Sequence, residues 1–160
     1  MDPSTIKTIM ETVLELFDEA WPGPANPSAT WFNDNAADAG ILGRLAGVNA
    51  EQASRPVSAG GPTIAAHAEH LRWFLAYARS FYGGEGKPGN WEDSWSVRAV
   101  DTEAWDRLRA DLRSEYEAMR QTVADQTDWS DPDLLTGTLA LLPHSGYHLG
   151  AIRELIRATS

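Results

Sequence analysis

Cysteine is absent from all 160 residues. Disulfides, thiolate metal ligands and a cysteine nucleophile are therefore excluded, and any thiol chemistry must draw its thiol from outside the chain. Basic residues are scarce, with 13 Lys and Arg against 23 Asp and Glu for a formal charge of -10. That balance opposes phosphate neutralisation and, with no basic helix face, argues against nucleic acid as a partner. Long apolar runs are missing too: nothing approaches the roughly 18 residues of a membrane span, and Met1 to Ile6 lack a basic stretch leading into an apolar one. The expectation is a cytoplasmic chain that touches no membrane. Tryptophan, in contrast, is plentiful, at positions 21, 31, 73, 91, 95, 105 and 129.

Strand-like alternation is absent over any useful length, and the periodicity that exists is helical. A length of 160 residues with 42% apolar content fits one domain, residues 1–160, around one core. Four blocks carry three-and-four spacing. The first runs from about Ser4 to Trp21 behind the start signals Asp2 and Pro3, and stops at Pro22-Gly23-Pro24. The second follows Gly60-Gly61-Pro62, with Pro62 read in a first helical turn and Gly83-Gly84 as the stop. Its stripe is Ile64, His67, Leu71, Phe74, Ala78 and Phe81. The third begins near Thr102, read as an N-cap, and aligns Trp105, Leu108, Leu112, Tyr116, Met119 and Val123. The fourth follows Asp131-Pro132 and runs to about Ala158, with Pro143 expected to kink or restart it. These blocks predict an all-α four-helix bundle, with a long crossover between the first two that carries short extra helices near residues 40–46 and 49–53. Residues 85–101 read as an aperiodic loop holding Trp91 and Trp95, and a loop of such length is often functional.

All four histidines fall into two helical pairs, His67 with His70 and His144 with His148. A four-residue step advances about 400° around the helix and roughly 6 Å along it, so His144 and His148 project from one face, the same face as Leu141, Ile152 and Leu155. Imidazoles among leucines need partners, and a divalent cation would satisfy one nitrogen on each ring. One further histidine from the other pair, 67 or 70, would complete three nitrogen ligands and leave a coordination position open, as in catalytic zinc sites. Three imidazoles suit zinc, nickel and copper alike.

The stretches Thr63-Ile64-Ala65-Ala66-His67-Ala68-Glu69-His70-Leu71 and His144-Ser145-Gly146-Tyr147-His148-Leu149-Gly150-Ala151-Ile152-Arg153 resemble the two histidine motifs of the DinB/YfiT-like superfamily, and Trp91 to Trp95 is similar to a tryptophan-rich loop of some members. The resemblance covers nearly the whole chain. It implies an up-down-down-up four-helix bundle, often homodimeric, that holds zinc or nickel through His70, His144 and His148. His67 stands where many members carry an aliphatic residue, which implies a supporting role. The members' usual His-Arg-Gly-Gln pattern reads His148-Leu149-Gly150-Ala151 here, so substrate does not transfer with the motif. The resemblance implies an enzyme acting on a small-molecule substrate, either a metal-dependent hydrolase or a transferase that uses a low-molecular-weight thiol as cosubstrate. The alternative is a non-catalytic metal-binding or dimerising stress-response bundle.

Other residues are candidates of lower rank. Glu69 could orient a ligand or act as a base, and Trp73, Tyr77 and Tyr147 could line a pocket. Ser145 lacks the Gly-x-Ser-x-Gly context of a nucleophile. Asp34 and Asp38 lack the loop glycine and terminal Glu of a calcium loop.

Overall fold

Each apolar stripe becomes one long helix, and the polar residue ahead of it supplies the cap. The computed structural model describes residues 2–84 and 86–160. Met1, at the N-terminus, and Glu85, the first residue of the expected loop, lie outside them. Helix α1 spans Pro3–Ala20 behind Asp2, whose carboxylate accepts from the Thr5 amide. Two short helices follow in the crossover, α2 (Ile41–Ala46) and α3 (Ala50–Ala53), the latter capped by Asn49. Helix α4 spans Ile64–Arg79, α5 Thr102–Asp125 and α6 Pro132–Thr159. No strand forms among the described residues, and no helix is long and apolar enough to cross a membrane.

Four boundaries differ from expectation. Thr63, not a residue at Pro62, caps α4, because its hydroxyl reaches the Ala66 amide; Pro62 lies just outside. Asp101 takes the α5 cap from Thr102 by accepting from the Ala104 amide. Helix α4 ends at Arg79 rather than at Gly83, and Phe81, beyond the last regular turn, is exposed. Helix α6 runs through Pro143 without restarting. The carbonyl that Pro143 deprives of a donor belongs to Leu139, and both residues face solvent, where water can take the donor's place.

The four long helices pack with α6 against α1 and α4, and α5 against the same two helices on the other side. Helices α4 and α6 are antiparallel, as the pairs His67 with His148 and Tyr82 with Thr138 require. Phe17, Trp21, Trp105, Leu112, Met119, Leu141 and Ile152 fill the centre. Trp21 stacks on Tyr116 with centroids 5.4 Å apart, and its indole N–H donates to the Ser145 hydroxyl at 3.0 Å. Ser145 is thus occupied as an acceptor in the core.

The crossover is held by one buried and one partly buried side chain. Glu19, 3% exposed, accepts from the backbone amides of Trp31, Phe32 and Asn33 at 2.8 to 3.0 Å. Arg153 reaches from α6 to Asn33, to the Ala39 carbonyl at 2.9 Å and to Asp34 at 3.3 Å. Asp34 is thus an ion-pair partner of Arg153 and Arg44. Gly40 permits the return to the bundle, because a Cβ there would collide with the Trp21 carbonyl, which accepts from the Leu42 amide. Replacing Glu19 by Ala strands several amide donors at once. The expected outcome is a loss of about 1–3 kcal/mol in stability, read as a lower denaturant midpoint with an unchanged slope.

Candidate metal centre

Helix α4 presents His67 and His70, and α6 presents His144 and His148, at the level where the two helices face each other. The imidazoles of His70, His144 and His148 each offer a nitrogen within 4.8 Å of the others, a spacing from which three histidines could hold one metal ion. His67, His70 and His148 are buried and His144 is partly so. The sequence pairs therefore converge from two helices, and the fourth histidine joins them by another route: His67 Nδ1 lies 2.8 Å from His148 Nδ1.

A short 3-10 turn, Trp91–Trp95, closes the site from the side. Periodicity predicts only an aperiodic loop here, although Asn90 caps the turn by accepting from the Glu92 amide. Trp95 stacks on His70 at 4.2 Å, and Trp91 meets the same ring edge-on at 4.8 Å. Phe74 covers His144, stacked at 3.8 Å. Thr63 steadies the chain after the turn by donating to the Arg98 carbonyl at 2.9 Å.

Ser94, within that turn, settles a tautomer. Its hydroxyl carries one hydrogen, and the Trp91 carbonyl at 2.6 Å can only accept, so the hydroxyl donates there. His70 Nδ1, 2.8 Å from the same oxygen, must then be the donor. The proton of His70 is fixed on Nδ1, and Nε2 is left as a bare lone pair. That Nε2 is buried with no hydrogen-bond partner, and so is Nε2 of His144. Each such atom costs on the order of 1–3 kcal/mol when nothing binds it. A soft-to-borderline divalent cation fits this all-imidazole donor set.

The rings are also neutral at neutral pH, so each keeps one nitrogen without a proton. Removal from water pushes His67 and His144 down to about 4. Burial does the same to His70, with His144 and His67 adding repulsion. His148 falls to about 2 through burial first and then the other three rings.

The remaining candidates have separate fates. Glu69 is tied to Arg72 through two bonds of 2.6 and 2.7 Å on its own helix. Among the described residues its carboxylate bonds to no histidine. Trp73 stacks on Tyr77 at 4.9 Å and meets Trp91 edge-on, extending the aromatic cover outward from the histidines. Tyr147 lies largely in solvent with one edge on His148 at 4.9 Å. Ser94 and Phe74 are participants that sequence reasoning does not pick out as site residues. Phe74 is visible as a stripe residue, but nothing in local spacing ties Ser94 to a ring 24 positions away.

Compared with protein-family models, with curated proteins and with solved structures, the chain matches none of them.

The depressed imidazoles make stability pH-dependent. Unfolded histidines titrate near 6.5, above their folded values, so between pH 6.5 and about 4 the unfolded chain binds more protons. The stabilisation is complete above pH 6.5 and is lost as pH falls through about 4 and, for His148, on towards about 2. Metal-free protein is expected to be less stable at pH 5 than at pH 8 by more than about 1 kcal/mol in urea unfolding, before most carboxylates protonate.

Proposed function

We propose that the chain binds one divalent metal ion, zinc or nickel, through His70, His144 and His148, and uses its open coordination position on a small-molecule substrate. The observation that carries this reading is the pair of buried, unpartnered Nε2 atoms on His70 and His144, the first held in the ligand tautomer by Ser94. A divalent ion held there supplies a Lewis acid that lowers the pKa of a water molecule or a thiol.

The chain's own residues account for the rest. Ser94 fixes the proton of His70 and, with Trp95 stacked on the ring, its orientation. With Nε2 of His148 directed to the ion, its Nδ1 carries the proton and donates to His67, which gives His67 the supporting place its sequence context suggests. Trp91, Trp95 and Phe74 exclude water from the ligand side, which strengthens every electrostatic interaction within.

On this reading the chain is a DinB/YfiT-like protein. It works as a homodimer in the cytoplasm, and its reaction is metal-assisted hydrolysis or transfer of a low-molecular-weight thiol. The histidine motifs on α4 and α6 and the four-helix architecture support the family reading. The absence of cysteine is compatible with both reactions.

Elemental analysis of protein purified without a histidine tag tests the site. Wild type is expected to hold close to one equivalent of zinc or nickel, and His70→Ala and His144→Ala to lose it. Retention of metal in both variants, or no uptake after reconstitution, would remove the proposal. Ser94→Ala is expected to keep the fold while weakening metal affinity by about 10- to 100-fold in competition with a chromophoric chelator. For the reaction, a shift in the spectrum of cobalt- or nickel-substituted protein on adding glutathione, bacillithiol or mycothiol is the expected sign of thiol transfer. No shift with any of the three favours hydrolysis or the absence of catalysis.

A further inference from the structure

A second compartment lies between α4 and α6, beyond the histidines and towards the start of α6. It is a cavity of about 510 Å³, within the usual size range of small-molecule sites. Phe74, Tyr77, Phe81 and Tyr82 contribute four aromatic side chains to it, and Met119 and Leu134 add to its apolar wall. None of the four histidines lines it, so its occupant is a separate question from the metal, and neither reading depends on the other.

Three observations describe that occupant. The first is Gly137. It lies inside α6, where glycine is less stable than alanine, yet a Cβ there would meet nothing within 4 Å. No close approach of another chain segment requires this glycine. It lines the cavity, so its bare Cα leaves that part of the wall without a side chain.

The second is the state of the wall's polar groups. The Thr138 hydroxyl donates to the Leu134 carbonyl, so the Tyr82 hydroxyl must donate to Thr138, and both hydrogens of that pair are used. The first-turn amides of α6 that a helix could offer an anion, those of Asp133 and Leu134, already bond to the Asp131 carboxylate.

The third is charge. No Lys, Arg or His lines the cavity among the described residues, whereas Asp131 and Asp133 stand on its rim. Aromatic faces carry negative potential, and carboxylates beside them add to it.

We propose that this cavity binds a small organic cation, an ammonium group on an apolar or aromatic body, with the body against the α4 aromatics and the charge towards Asp131 and Asp133. An anion would meet two carboxylates and no cationic side chain.

The probe is benzyltrimethylammonium, titrated into the full chain by calorimetry or by NMR chemical shifts, with phenylacetate as the anionic and benzyl alcohol as the neutral comparison. Saturable binding of the cation is expected at low-millimolar concentration or tighter, at least about fivefold stronger than either comparison. Gly137→Leu should abolish it without lowering the thermal midpoint, since the new side chain enters empty space on a helix it favours. The double variant Asp131→Asn/Asp133→Asn, which keeps a competent N-cap, should bring the cation down to the level of benzyl alcohol. Phenylacetate binding as tightly as the cation, unchanged binding in Gly137→Leu, or no saturable binding of the cation below about 10 mM would each overturn the proposal. The Asn variant keeps the test decisive if Gly137→Leu does not fold: undiminished cation binding there overturns it as well.

Discussion

A buried imidazole nitrogen with nothing to bond is expensive, and the two such atoms on His70 and His144 are the constraint to which α4, α6 and the tryptophan turn all answer. The same burial that leaves them unpartnered also keeps both rings neutral, because a charged ring would have to leave water. Dry walls and neutral rings are thus one property. Ser94 adds direction to it by holding the His70 proton on the far nitrogen. A bundle built only for stability would place leucine at these positions, as it does at Leu71 and Leu141 on the same two helices.

Holding four rings between α4 and α6 imposes a demand on the rest of the chain. The crossover from α1 to α4 must pass outside the bundle, and it is anchored to the helices away from the rings. Glu19 on α1 gathers three consecutive amides, and Arg153 on α6 gathers Asn33, Asp34 and the Ala39 carbonyl. The second long connection then covers the site, with Trp91 and Trp95 seated on the histidines. Beyond Phe74 the space between α4 and α6 opens into the aromatic cavity, so one ring forms the boundary between two compartments of different chemistry.

Much of the fold is legible in the sequence because helices are local. The α1, α5 and α6 stripes predict their helices to within a residue or two, and Asp2 and Asp131 mark their own starts. The departures arise where two neighbouring residues could both cap, as with Asp101 and Thr102, or where solvent decides the outcome, as at Pro143. The loop of residues 85–101 conceals a 3-10 turn whose cap, Asn90, is in view but whose reason for ordering, contact with the histidines, is not.

Spacing along the chain determined that His144 and His148 share a face, that a second histidine pair sits on another helix, and that no cysteine takes part. Those are consequences of the helical repeat and of composition, and need no tertiary contact. Only the tertiary structure decided that the two pairs meet, that His67 bonds to His148 while Ser94 bonds to His70, that Glu69 turns to Arg72, and that Gly137 lines a cavity with the α4 aromatics. Hydrogen bonds between residues 24 or 81 positions apart depend on how helices dock, and docking is set by the summed packing of the whole core, which no local pattern contains.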